Sequence, residues 1–221
     1  VMTLAHELGH GVHQYLAREQ GMLQQHTPLT TAEMASTFGE MLVFSDFMAN
    51  EADPAVRLAM LAQKIEDCFS TIFRQISMNR FEHGMHTARR EEGELTSERL
   101  GAIWMETQQA MFGDSVEMTG NYGLWWSYIP HFLQVPGYVY AYAFGELLVL
   151  ALFARYRQEG ESFAPRYLDV LRAGGSNWPE KTLAPLGVDL TDPHFWQEGL
   201  CLLYTSPSPR DRTRYRMPSS A

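Results

Sequence analysis

The sequence predicts an all-α fold, and three observations carry that expectation. Leu4, Leu8, Val12, Tyr15 and Leu16 recur near helical spacing at the start of the chain. Residues 54–90 form a long uninterrupted helical pattern. The most apolar stretch, LLVLALFARY (147–156), is too short to span a bilayer, continues into Arg155 and Arg157, and reads as a buried helix.

In chain order, the first helix is expected over residues 2–20, ended by the loop GMLQQHTPLT (21–30) with Gly21 and Pro28 as punctuation. A second helix is expected from after Thr30 to about Asn50, and a long one over 54–90. The acidic EEGELTSE (91–98) breaks that pattern and caps a helix over about 97–112. Residues 112–137 read mostly as loop. A helix over 138–160 closes with Arg155, Arg157 and Gly160. A short helix at 162–173, a turn region at 174–189 and a last turn near PHFWQEGL complete the map.

The 221 residues suit one large domain or two small ones, with 45% hydrophobic and 19% charged residues. The last 21, CLLYTSPSPRDRTRYRMPSSA, shift to Ser, Pro and Arg without periodicity. Codons for Cys201 to Asp211 reproduce a string resembling a transposon-based sequencing-library adapter, so 201–221 is expected to be a non-native tail. Without it, residues 1–200 hold 13 basic and 25 acidic residues (17 less 4, and 26 less 1), a net charge of −12. That balance argues against nucleic acid or an anionic membrane as partner. Cys68 alone remains, so no disulfide framework is expected, which suits a reducing cytoplasm. With a metal-type helix so near residue 1, the chain is expected to be a fragment open at both ends.

The chemistry concentrates in AHELGHGVH (5–13). On a helix, His6 and His10 are four apart and project from one face, so two imidazoles can share a tetrahedral metal. Glu7, about 100° further round, can reach a water at that metal without ligating it. Gly9 allows a second backbone or a substrate close to the helix. The apolar residues Leu4, Leu8 and Val12 imply that this helix is buried on their side. Candidate third ligands are Glu19, His26, Glu33, Glu40 and Asp46. Glu33 sits near the start of the second helix, which a loop of roughly ten residues would lay antiparallel beside the first. A capping box, Thr30-x-x-Glu33, competes for the same carboxylate. Glu40, seven residues on, either bonds a ligand histidine or joins an ordinary interhelical ion pair. His13 reads as a hydrogen-bonded helix residue rather than a fourth ligand, and His26, His83, His86 and His194 form no pattern.

HELGHGVHQYL followed by TPLTTAEMASTFGEMLV resembles the M3 metallopeptidases, in their bacterial oligoendopeptidase F branch. The resemblance continues through FRQISMNRFE, LWWSYIPHFLQVPGYVYAYAFGELL and GGSNWPEKTLAPLGVDLTDPHFWQEGL, and so covers residues 1–200. It implies a multi-helix zincin-type catalytic domain, here its C-terminal part without the N-terminal half. It implies one zinc held by His6, His10 and Glu33, with Glu7 as general base. A histidine and tyrosines of HFLQVPGYVYAYAFG would bind the oxyanion: His131, Tyr138 and Tyr142, with Tyr140 in reserve. Three alternate tyrosines cannot share one helix face, so at least one is structural. The implied function is a cytoplasmic zinc endopeptidase acting on oligopeptides. The alternatives are a helical HExxH carboxypeptidase, which needs a basic residue for the substrate carboxylate near the tyrosines, and an inactive zinc-binding fragment.

Overall fold

A computed structural model describes residues 1–204, all helix and loop, as the periodicity predicts. Helix α1 (Met2–Ala17) passes into a 3₁₀ turn at Arg18–Gln20, which Gly21 ends at φ +75°. Two segments follow, α2 (Leu29–Ala32) and α3 (Met34–Asn50), separated by Glu33 at φ −86°, ψ 1°. Helix α4 (Pro54–Phe69) begins with Pro54 in its first turn, and the Asp53 carboxylate accepts the Ala55 amide. It runs through a π-helical turn, Ser70–Arg74, into α5 (Gln75–Glu92), so the long pattern is one rod with a widened turn inside it. The acidic break holds: Thr96 Oγ1 accepts the Arg99 amide at the start of α6 (Ser97–Phe112).

The segment expected as mostly loop carries a 3₁₀ run, Gly120–Tyr128, and a short α7 (His131–Gln134). Then come α8 (Tyr140–Glu159), α9 (Phe163–Ala173), α10 (Pro179–Leu183) and α11 (Pro193–Tyr204). The last is a twelve-residue helix rather than a turn. Packing accounts for it: α11 lies on α8, and Gly199 lies so close that a Cβ there would stand 2.8 Å from the Leu147 carbonyl oxygen. It runs past Leu200 to Tyr204, and the rest of the expected tail, 205–221, lies outside the described residues.

Two apolar cores organise these elements. The larger joins α3, α8, α9 and α11 through Met34, Phe38, Phe163, Leu171 and Phe195. Leu148 to Phe153 of α8 are all buried within it, as expected of a central helix. Phe38 anchors the aromatic contacts, 4.5 Å from Tyr167 and 5.5 Å from Phe153 between ring centroids. The smaller core joins α5, α6, the 3₁₀ run and α7 through Phe81, Trp104, Ile129, Phe132 and Val139. Val139 immediately precedes α8, so the start of α8 sits where the two cores meet. Among the described residues, no helix is long and apolar enough to cross a membrane.

One expectation fails. Leu4, Leu8, Val12 and Tyr15 are exposed, and α1 instead buries Gly9, His13 and Ala17. Closeness of approach decides this. A Cβ at Gly9 would lie 2.5 Å from both Ala35 O and Ser36 Cα, so only the glycine face lets α1 and α3 meet backbone to backbone. That choice places His6 and His10 along the seam.

Candidate metal centre

The seam between α1 and α3 assembles the site. Besides the Gly9 contact, Gly39 lets α3 pass α1, where a Cβ would stand 3.2 Å from Ala5 O. His6 and His10, one turn apart, point across the seam with their rings edge to face, centroids 4.7 Å apart. Glu33 reaches them from the break between α2 and α3. Behind it lies Gly145 of α8, where a Cβ would be 3.2 Å from Glu33 Cβ. Ser36 Oγ lies 3.0 Å from both Glu33 Oε2 and the Glu33 carbonyl, tying carboxylate and backbone together.

Three donor atoms converge. His6 Nε2 and His10 Nε2 lie 3.1 Å apart, and they stand 3.3 and 3.5 Å from Glu33 Oε2. Ligands about 2.0–2.1 Å from a tetrahedral zinc are about 3.3 Å from one another, so this spacing fits that ion. Glu40 Oε1 lies 2.6 Å from His6 Nδ1, which favours the proton on Nδ1 and leaves Nε2 as an electron-pair donor. Two imidazole nitrogens and a carboxylate oxygen facing one point make a donor set for a cation. It is the one such group of three or more among the described residues.

The capping box does not form. Thr30 lies inside α2, whose N-cap is Pro28, and Thr30 Oγ1 is buried without a hydrogen-bond partner among the described residues. Of the two readings left open for Glu40, the bond to His6 is the one present. His13 points into the protein. Burial, and then the His10 imidazole beside it, pushes its pKa down to about 4. Glu7 is exposed one residue after His6, and among the described residues it makes no ion pair.

His131, Tyr138 and Tyr142 form a second cluster. His131 Nε2 and the Tyr142 hydroxyl are 3.2 Å apart, and the Tyr138 and Tyr142 rings are 5.2 Å apart. Tyr138 precedes α8 and lies four residues before Tyr142, on the same side. Tyr140, about 200° round the helix from Tyr142, is partly exposed outside the cluster. Burial, reinforced by Tyr138 and then Glu33, raises the Tyr142 phenol above its usual range, so it stays a hydrogen-bond donor at neutral pH. Tyr142 shares a cavity of about 360 Å³ with His6, Glu33 and Glu40, so it joins the tyrosine cluster to the metal donors.

Sequence reasoning missed part of that cavity's wall. Lys64 Nζ lies 3.6 Å from Glu146 Oε1, and the Cys68 thiol donates to the same oxygen at 3.2 Å. Burial acts to lower the Lys64 ammonium, but Glu146, with Cys68, Glu40 and Asp67, outweighs it and raises the group. Burial and then Glu146 push the Cys68 thiol up to about 12, so it stays a thiol. In the sequence, Lys64 and Cys68 stand one helical turn apart within the 54–90 pattern, and nothing near them points to Glu146.

The family model described as peptidase family M3 matches residues 1–202. The chain is 38% identical over 194 residues to Oligopeptidase PepF of Bacillus subtilis (strain 168), covering 87% of this chain and 29% of that protein. It is 30% identical over 191 residues to the chromosomal Oligoendopeptidase F of Lactococcus lactis subsp. cremoris, covering 86% and 32%. A crystal structure of oligoendopeptidase-F from Enterococcus faecium superposes with a TM-score of 0.78 at 30% identity, covering 92% of this chain and 37% of that one. The chain thus spans about a third of the length of the curated relatives it matches.

Proposed function

The chain belongs to peptidase family M3, and from that premise we propose that it carries the metal-dependent chemistry of a zinc endopeptidase acting on short oligopeptides. The observation that carries this reading is the convergence of His6 Nε2, His10 Nε2 and Glu33 Oε2 at tetrahedral zinc spacing. Zinc, when bound, supplies a Lewis acid that activates water and polarises the scissile carbonyl.

The remaining work falls to the chain's own side chains. His6, His10 and Glu33 hold the ion, and Glu40 orients His6 through Nδ1. Glu7, exposed beside His6, accepts the proton of the attacking water and returns it to the leaving amine. Tyr142 and His131 donate hydrogen bonds to the oxyanion as charge develops on it, with Tyr138 packed against both. Such a preorganised donor is worth roughly 10²–10³ in kcat.

Lys64 bears on the carboxypeptidase alternative. It is a cation lining the cavity, but Glu146 already neutralises it. With its charge matched inside the chain, Lys64 is a poor anchor for a terminal carboxylate, which favours cleavage within a peptide. The buried free thiol of Cys68 suits a reducing cytoplasm.

Hydrolysis of an internally quenched peptide by the wild-type chain and Glu7→Gln, each with its zinc content measured, tests the reading. The expected result is activity lost in Glu7→Gln with zinc retained. Unchanged hydrolysis in that variant contradicts the mechanism, and metal binding without hydrolysis in the parent chain favours the inactive module.

A further inference from the structure

The smaller core contains a carboxylate that the mechanism does not use. Glu82, on α5 next to Phe81, is only 3% exposed. Its Oε1 accepts the Gly137 amide at 2.6 Å. Its Oε2 is buried without a hydrogen-bond partner among the described residues, and the other group near Oε1 is His86, whose Nε2 lies 3.8 Å away. Its chain neighbour Phe81 belongs to the smaller core, packed 5.3 Å from Trp104 and 4.9 Å from Phe132 between ring centroids. A carboxylate in such surroundings opposes folding unless its bond does something a hydrocarbon there would not.

The amide it holds belongs to a turn that needs holding. Gly137 sits at φ +76°, a conformation open to glycine and strained for other residues. Residues 135–139 link α7 to α8: the Val135 amide bonds back to the His131 carbonyl and the Tyr138 carbonyl accepts the Ala141 amide, while the Val139 side chain in the smaller core and the Gly137 amide on Glu82 tie the loop to the rest of the fold. Tyr138 lies between Gly137 and Val139. Its ring packs 6.0 Å from His131 and 5.2 Å from Tyr142.

We propose that Glu82 is a positioning residue: its buried carboxylate clamps the Gly137 amide and thereby fixes the 135–139 loop, so that Tyr138 packs against His131 and against Tyr142, which lines the cavity of the metal donors. The catalytic consequence rests on the peptidase reading above, while the clamp itself does not. A side-chain carbonyl also accepts from a backbone amide, though less strongly than a carboxylate, so Glu82→Gln keeps most of the clamp. Glu82→Met fills the same space without an acceptor and releases it.

The test is residue-resolved amide hydrogen exchange on the full chain, beside steady-state peptide hydrolysis. In Glu82→Met, Gly137 and Tyr138 amides exchange about tenfold faster or more, while amides within α5 and α6 keep their rates. The same variant loses about tenfold in kcat with KM changed much less, and Glu82→Gln stays near wild type in both measurements. Unchanged Gly137 exchange in Glu82→Met overturns the proposal. So does faster exchange spread through α5 and α6, or a Glu82→Gln variant as impaired as Glu82→Met. If the parent chain hydrolyses no peptide, it is the peptidase reading that fails, and exchange alone decides the clamp.

Discussion

Glu33 shows how a side chain's role depends on where its helix begins. Locally, Thr30-x-x-Glu33 has the residues of a capping box. The backbone settles the matter by starting α2 at Leu29 and breaking at Glu33, which frees the carboxylate to meet His6 and His10. Its supports predict graded effects on metal affinity. Glu40→Ala removes the partner of His6 Nδ1 and should weaken zinc binding about 10–100-fold by competition with a chelator. Ser36→Ala should weaken it less, because Glu33 keeps its place against Gly145. His13 gives a stability signature. Its folded pKa of about 4 lies below the ordinary 6.5, so the unfolded chain takes up the proton first as pH falls. The stabilisation from keeping it neutral is complete above pH 6.5 and is lost progressively down to about pH 4. Metal-free chain should lose up to about 3 kcal/mol across that window in urea melts, and His13→Gln should flatten the loss. The spacing of His6, Glu7 and His10 was legible because a helix alone brings i and i+4 together. Gly145 and the Lys64–Glu146 pair were not, because each acts through a contact whose partner lies far away in the sequence.

Among the helices, α1 was legible in extent and wrong in orientation. Its apolar stripe suggested one buried face, but the Gly9 face packs, because contact between two backbones needs a residue with no side chain. Gly9→Ala is therefore expected to force α1 and α3 apart. A stability loss of about 1–3 kcal/mol, as for an overpacked core, should accompany weakened zinc binding. Gly11→Ala, whose Cβ would meet nothing within 4 Å, should cost neither. Thermal melts with and without zinc separate the two. Buried α8 was readable from its unbroken apolar run. The last helix was not, since α11 is held by α8 rather than by its own short, Gly-containing sequence.

Across the molecule, two cores meet at the start of α8, and Tyr142 in the first turn of that helix lines one cavity with His6 and Glu33. The all-α class followed from periodicity, but this juxtaposition joins residues more than a hundred positions apart and became visible only in three dimensions. The exposed stripe of α1 gives a separate expectation. Leu4→Lys with Leu8→Glu should leave zinc affinity unchanged in competition with a chelator, because both side chains are exposed, away from the seam. The most direct test of the account is zinc stoichiometry of the purified chain beside His6→Ala and Glu33→Ala. About one zinc per chain, with binding weakened in both variants, is the predicted result. Zinc lost in His6→Ala but kept at parent affinity in Glu33→Ala, or no zinc bound by the parent chain, would contradict a centre built from His6, His10 and Glu33.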